Sequence, residues 1–185
     1  MNTLTKRLDE LYNTIQEDDF LEGKGLSNEV NIHIFPYDAE DEMIVRRFTE
    51  NLIDDRSLNC HLIHYDLYRV FLSICDEKRV TKQVTILAGQ KGNDFVLKNL
   101  KKMANNKAFV EMMRRTPHGS GDVILITGVG EAFPFIRVHS LLEAMQPFFN
   151  DVPIVVLYPG AYNGTELKLF DRLQANAYYR AFNII

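Results

Sequence analysis

Two glycines that follow a continuous apolar run are the residues best placed to bind a phosphate group. The run DVILIT at 122–127 reads as a buried strand, and Gly128 and Gly130 follow it in the order of the dinucleotide-binding turn G-x-G-x-x-G. The third glycine position carries Phe133, whose side chain would obstruct the close helix–sheet packing that this motif requires. These residues therefore predict either a weak anion site or a tight structural turn.

Charged side chains near the two glycines leave this choice open. Glu131 would repel a phosphate group, whereas Arg137 and His139 would attract one to a helix N-terminus. The chain lacks the sequence G-x-x-x-x-G-K-[ST], in which backbone N–H groups and a lysine surround the phosphates of a nucleotide. Hydrolysis of ATP by the standard route is therefore not expected.

Metal-dependent chemistry has little support in the sequence. His61 and His64 are three residues apart, which places them on opposite faces of a strand. Glu166 and Lys168 form an E-x-K fragment that is typical of a class of nucleases, but no carboxylate pair accompanies it to hold a metal. We therefore expect no catalytic residue, no metal, no cofactor and no small-molecule substrate.

The segment YPGAYNG at 158–164 is a second candidate site, after a predicted strand at 152–158. Pro159 and Gly160 are expected to set a turn, so that Tyr158 and Tyr162 offer rigid amphipathic surfaces to a protein partner. The turn at Gly128 would lie at the same sheet edge, where the carboxyl ends of parallel strands form a ligand crevice. The alternative is that the tyrosines only cover the edge of the sheet.

A block of basic residues at 78–115 is a third candidate. It holds ten Lys and Arg residues against two acidic ones, whereas residues 1–60 hold six against fourteen. Phosphate contacts from such a block would give weak, salt-sensitive DNA binding that does not depend on base sequence. The alternative is a pair of solvated helical faces. The candidate DNA contacts are Lys98, Lys101, Lys102, Arg114 and Arg115.

Composition indicates a globular protein of the cytoplasm. The chain has 185 residues, of which 46% are hydrophobic and 25% charged, and its net charge is −4. Its first residues lack the apolar core of a signal peptide, and no apolar stretch approaches the ~20 residues that span a bilayer. Cys60 and Cys75 lie in apolar runs and do not resemble a disulfide framework or a zinc site. We therefore expect no membrane association.

Strand and helix patterns alternate along the chain and must position these candidates. They predict an α/β fold in a single domain over 1–185, with an open, mostly parallel sheet flanked by helices. The layering is that of Rossmann-like or P-loop-NTPase-like proteins without a Walker A motif. An N-terminal amphipathic helix is predicted at about 3–18, and a helical insertion near 66–115. The predicted strands are 30–35, 58–65, 122–127, 152–158 and 178–184.

Local signals also predict details of these elements. Pro36 is expected to end the first strand, because proline lacks the N–H group of a strand interior. Ile44, Phe48 and Leu52 are expected to form the apolar stripe of a helix over about 40–54. Pro134 is expected in the first turn of the helix that follows strand 122–127.

Nearly the whole chain resembles one known family, and the resemblance is specific over residues 122–183. The matching segments are DVILITGVGEAFPFIRVHSLLEAM at 122–145 and VPIVVLYPGAYNGTELKLFDRLQANAYYRAFNII at 152–185. Their most specific features are the Tyr-Pro-Gly of 158–160, Tyr162, and the Tyr-Tyr-Arg-Ala-Phe of 178–182. On these residues the chain is identified as a member of the BrxB family of bacteriophage exclusion (BREX) systems.

The resemblance implies a subunit of a multi-gene bacterial antiphage system. Such systems mark host DNA by adenine methylation and block phage DNA replication. Their other members include a phosphatase-like protein, PglZ, a methyltransferase, PglX, and a large ATPase, BrxC. The family has no established chemistry of its own, so the resemblance supplies no catalytic residue.

We therefore predict a non-enzymatic adaptor that docks on another BREX subunit, with PglZ as the first candidate and BrxC or PglX as others. The alternatives are a degenerate nucleotide-binding or nuclease-like enzyme, and a DNA-binding subunit that acts through 78–115. The predicted docking residues are Gly128, Gly130, Arg137, His139, Tyr158, Pro159, Gly160, Tyr162, Tyr178, Tyr179 and Arg180.

Overall fold

A computed structural model describes residues 3–24, 31–178 and 180–185, which form an open sheet with helices on both faces. The helices are α1 Thr3–Thr14, α2 Asp18–Leu21, α3 Glu42–Asp54, α4 Leu67–Glu77, α5 Val84–Lys91, α6 Asn93–Met103, α7 Asn106–Met113, α8 Val129–Ala132 and α9 Val138–Met145. The strands are β1 Ile32–Tyr37, β2 His61–Asp66, β3 Asp122–Thr127, β4 Ile154–Tyr162, β5 Glu166–Leu169, β6 Asn176–Ala177 and β7 Phe182–Asn183. The predicted helical insertion is confirmed as α4 to α7.

Parallel strands form the body of the sheet in the order β2-β3-β4-β1-β7. Strands β5 and β6 extend it from β4 by antiparallel pairing. Ile154 of β4 lies between Ile124 of β3 and Ile32 of β1, and all three side chains are buried. Such continuous apolar strands are typical of a parallel sheet covered on both faces. The predicted α/β class is therefore confirmed.

Alternate residues of β4 enter two separate cores, because successive side chains of a strand point to opposite faces. Val155 and Leu157 pack with α1 and α3 on one face. Val156 and Tyr158 pack with α4, α7 and α9 on the other. The predicted N-terminal helix is confirmed, although it ends at Thr14, and its leucine stripe is buried in the first of these cores.

Strand β1 continues through Pro36 to Tyr37, so the prediction that this proline ends the strand is wrong. The carbonyl of Ile34 accepts a hydrogen bond from the C-terminal segment beside β7, so the backbone polar groups of Pro36 face the same side. Pairing between β1 and β7 stops at Ile34. At Pro36 no residue of β7 lies opposite, so the N–H group that proline lacks is not needed for a hydrogen bond to that strand. The Arg7 guanidinium donates to the Pro36 carbonyl at 2.7 Å.

The buried face of α3 differs from the predicted stripe at two of its three positions: Leu52 is buried as predicted, but Phe48 is only half-buried. Ile44 is 45% exposed, whereas Val45, Thr49 and Leu52 are buried. The apolar pattern did not predict the burial of Thr49, because threonine is polar. Its hydroxyl donates to the Val45 carbonyl at 2.9 Å. This bond within the helix allows a polar side chain to lie in the core.

The segment after β3 also differs from the prediction. Gly128 is the N-cap residue of the one-turn helix α8, and Pro134 lies in the turn after this helix, where the Phe133–Pro134 peptide bond is cis. The next helix begins only at Val138, so Pro134 is not in its first turn.

Among the described residues, no helix combines the length and apolar character needed to cross a membrane.

Candidate functional site

A cleft of about 360 Å³ lies at the carboxyl edge of the parallel strands, between α3 and the ends of β2 and β3. This is the edge at which open α/β sheets usually bind ligands. Leu157 and Val45 form part of its apolar lining. The charged side chains that line it are Glu42, Arg46, Glu50, Asp54, Asp66, Arg69 and Glu131.

The Arg46 guanidinium is occupied by carboxylates of the cleft itself. Its Nε donates to Glu42 at 2.8 Å, and it also forms an ion pair with Glu131. The Tyr37 hydroxyl donates to the other oxygen of Glu42 at 2.6 Å. Burial, and then the neighbouring Glu42, raise the pKa of Tyr37, so this hydroxyl stays protonated. Arg46, one of the two arginines of the cleft that could attract a phosphate group, is therefore already paired.

Asp66 occupies the N-terminus of α4, the helix that begins at this edge. One oxygen of its carboxylate accepts hydrogen bonds from the backbone N–H groups of Tyr68 at 2.9 Å and Arg69 at 3.1 Å. These N–H groups are the ones that a bound anion would use. The helix is thus capped by its own chain.

Gly128 has a structural reason to be glycine. Its φ of +69° lies in the left-handed region, and a Cβ atom there would lie 2.5 Å from the Asp66 carboxylate. The absent side chain lets the ends of β2 and β3 approach each other. A similar reason holds at Gly130, where a Cβ atom would lie 3.0 Å from the Phe170 ring. Both glycines therefore fit the structural-turn interpretation.

Histidine adds no positive charge to the cleft. His64 lies within hydrogen-bond distance of the Thr127 hydroxyl, at 2.7 Å. Burial lowers the pKa of His64 from its ordinary value, so the ring is neutral at pH 7. Five carboxylates therefore face only Arg46 and Arg69. Among the described residues, no group of three or more His, Cys, Asp or Glu side chains is placed to hold a metal ion.

The segment expected to turn at Pro159 and Gly160 continues as strand β4 to Tyr162. Tyr158 is 2% exposed and Tyr162 is 6% exposed, so neither offers a surface to a partner. Beyond the edge of the sheet, β4 pairs with β5, with Tyr162 opposite Leu167. The prediction that Tyr158 and Tyr162 of the segment 158–164 present surfaces to a partner is therefore wrong, and their burial fits the alternative that they cover the edge of the sheet.

Tyr162 joins three parts of the chain instead. Its hydroxyl lies 2.7 Å from the Ala181 carbonyl and 3.0 Å from that of Gly164. The sequence did contain a signal for this hairpin: Asn163 and Gly164 precede the alternating residues of 166–169. The Asn163 side chain accepts hydrogen bonds from the N–H groups of the two residues that follow Gly164.

Comparison with known proteins identifies the family of this chain. The model of the family described as BREX protein BrxB matches residues 63–184, from β2 to β7. A BREX protein BrxB from Bacillus cereus (strain H3081.97) is 38% identical over 195 aligned positions, which cover 100% of this chain and 99% of the relative. The chain belongs to the BrxB family. A second relative, from Escherichia coli O9:H4 (strain HS), is 27% identical, with 98% of this chain and 92% of the relative covered.

Membership of the BrxB family connects the chain to BREX phage defence, as the resemblance implied. No solved structure matches the chain. The matched region contains the charged groups of the cleft from β2 onward and the β4–β5 hairpin. It therefore includes every predicted docking residue.

The docking residues predicted for this BrxB chain divide by exposure. Arg137 and Arg180 are exposed, and His139 is half-buried, with a pKa lowered mainly by burial. Tyr178 is buried, and Tyr179 lies outside the described residues. The Arg180 guanidinium donates to the Gln146 side chain at 2.9 Å, beside a cleft that Glu143 also lines. The surface part of the predicted site is thus carried by arginines.

The five predicted DNA contacts lie on two helices of the insertion. Lys98, Lys101 and Lys102 are exposed on one face of α6. The two arginines lie at the end of α7 and already have partners: Arg114 lies 4.1 Å from the centre of the Phe148 ring, and Arg115 forms a two-bond pair with Glu77. The lysines of α6 are therefore the free cations of this set.

Proposed function

We propose that this BrxB protein is a non-catalytic adaptor that docks onto another subunit of its BREX system, with a PglZ-like protein as the first candidate. One observation carries the proposal: the groups at the carboxyl edge of the sheet are satisfied by the chain itself. Arg46 is paired with Glu42 and Glu131, and Asp66 caps α4. A site built for substrate instead holds polar groups aimed at the substrate.

A degenerate nucleotide-binding or nuclease-like enzyme is the competing function, because the cleft lies where this fold binds ligands. Its excess of carboxylates opposes nucleotide phosphates. We expect ATP, GTP and NAD, each at about 1 mM with and without Mg²⁺ or Mn²⁺, to leave the melting temperature unchanged. A ligand at 100 times its Kd would stabilise the folded state by about 2.7 kcal/mol, which a thermal melt detects. Such a shift, if it disappeared in Arg46→Ala, would contradict the adaptor proposal.

Arg180 is the exposed member of the predicted docking set that is easiest to test. We expect Arg180→Glu to abolish capture of the partner subunit, because a buried interface arginine often contributes 2 kcal/mol or more. The variant should keep the melting temperature of the wild type, since its hydrogen bond to Gln146 is exposed. The measurement is pull-down from a host that carries the rest of the operon, with each captured subunit identified by mass.

Arg172→Glu is the matched control for this experiment. Arg172 is also exposed and belongs to the same C-terminal region, so it reports the effect of a reversed charge alone. Retention of partner capture by Arg180→Glu would remove this residue from the docking site. Loss of capture in both variants would show that only the general charge of this region matters.

A further inference from the structure

Helix α5 exposes apolar side chains that the rest of the described chain does not cover. Its sequence is VTILAGQK, yet none of its residues is buried, and Ile86 is 61% exposed. It packs against α6 and the turn at 81–83. Helix α6 buries only Val96, and its Phe95 is 41% exposed. We call residues 81–103 the helical hairpin, with Gly92 as its joint at a φ of +83°.

The lysines of the helical hairpin have no carboxylate partner among the described residues, and one of them lies against an exposed ring. The Lys91 ammonium lies 4.8 Å from the centre of the Phe95 ring. Asp94 is the single acidic residue of the helical hairpin. In the part of the chain that the structure describes, none of the hairpin lysines is within ion-pair distance of a carboxylate, whereas Lys107 on the next helix pairs with Glu111. The hairpin lysines are Lys82, Lys91, Lys98, Lys101 and Lys102.

We propose that the helical hairpin is a docking surface for an acidic protein surface with an apolar centre, carried by another subunit of the same BREX system. This inference rests on the proposed adaptor function and names the surface that performs it. Ile86 and Phe95 supply the apolar contact, and the lysines of the same hairpin select an acidic partner by charge complementarity. An exposed apolar centre with a charged rim is the usual anatomy of a protein interface.

The same observations favour a protein over DNA or a membrane. Phosphate contacts to DNA need lysines but gain little from an exposed isoleucine and phenylalanine. A helix that lies on a membrane gathers its apolar residues on one face, whereas those of α5 are spread around the helix. A partner protein can surround such a projecting helix, because it can offer a groove.

The test compares Ile86→Asp with Thr85→Asp, which places the same charge on the neighbouring exposed polar position. The wild type and both variants are co-expressed with PglZ, BrxC and PglX singly, and capture is quantified. We expect Ile86→Asp to reduce capture of one subunit about tenfold or more, which corresponds to 1.4 kcal/mol, and Thr85→Asp to have little effect. Capture by the wild type should also weaken as NaCl rises from about 0.1 M to about 0.5 M.

The outcomes separate this inference from the adaptor function. If the wild type captures a subunit and Ile86→Asp captures it equally well, the adaptor function stands and the helical hairpin is not its surface. If the wild type captures none of the three subunits, the adaptor function fails, and this inference fails with it. Two further results would overturn the inference. The purified wild type could bind duplex DNA, or it could form a dimer, and in either case Ile86→Asp would abolish that binding. Circular dichroism verifies that both variants are folded.

Discussion

We expect Gly160→Ala to lower the free energy of unfolding by about 3 kcal/mol, because the added methyl group strains the backbone and overpacks the contact with β5. Gly160 lies in β4 with a φ of +149°, opposite Leu169 of β5. A Cβ atom there would lie 2.3 Å from the Lys168 carbonyl oxygen and 2.8 Å from the Phe170 nitrogen. Both neighbours are backbone atoms, one in β5 and one in the residue that follows it, so they cannot move away as a flexible side chain would.

Alanine at this position must therefore separate β4 from β5. The Phe170 N–H group donates to the Pro159 carbonyl at 2.8 Å, and this bond would break first. For a chain of this length the loss corresponds to a fall in melting temperature of about 10 °C. Thermal and urea unfolding, followed by circular dichroism, measure both quantities.

Gly164→Ala is the matched control, because it separates strain from collision. Gly164 also has a positive φ, +92°, but no atom lies within 4 Å of its added Cβ. We expect a loss of about 1 kcal/mol there. Equal losses in the two variants would show that the close approach of β5 is not what requires glycine at position 160.

Tyr158→Ala is expected to destabilise the fold by about 3–5 kcal/mol, the usual cost of removing a buried aromatic side chain. Tyr158 is 2% exposed and belongs to the larger core, between the sheet and α9. Burial raises its pKa, consistent with a phenol that is held away from water. Urea unfolding of the variant measures the loss, and the yield of folded protein should fall with it.

Tyr68→Ala is the matched control for the aromatic deletion. Tyr68 lies on α4 and is 38% exposed, so we expect a loss below about 1 kcal/mol. If Tyr158→Ala kept its stability but failed to capture a BREX subunit, the result would contradict the structural role and support Tyr158 as a docking residue. Loss of stability with normal capture by the remaining folded protein would confirm a purely structural role.

Local patterns predicted the elements that do not depend on distant neighbours. The strand at 122–127 has the predicted bounds, because a run of six residues that is buried on both faces has a clear signature. The N-terminal helix is equally clear, since its leucines recur at helical spacing. Errors occurred at Pro36 and Ile44. The first depends on where the neighbouring strand β7 ends, and the second on a hydrogen bond that allows Thr49 to be buried on the other side of the stripe.

The candidate site was harder to predict than the fold, because its contacts join residues far apart in the chain. Sequence patterns gave Gly128 two roles, and its contact with Asp66, 62 positions earlier, decided between them. Ile86 and Phe95 could not be recognised as exposed, since an apolar helix in a sequence is normally assigned to a core. The cleft also brings Arg46 to Glu131, which no local pattern relates.

By itself, then, the sequence determined the α/β class, the helical insertion between β2 and β3, and, through its resemblance, the BrxB family. Hydrophobic periodicity is a property of a short segment, so it predicts a helix or a strand without knowledge of the rest of the chain. Only the tertiary structure decided that Tyr158 and Tyr162 are buried and that Ile86 is exposed. Burial depends on which distant segments cover a residue. Here Leu167 lies opposite Tyr162 and the Ala181 carbonyl accepts its hydroxyl, whereas Ile86 stays 61% exposed.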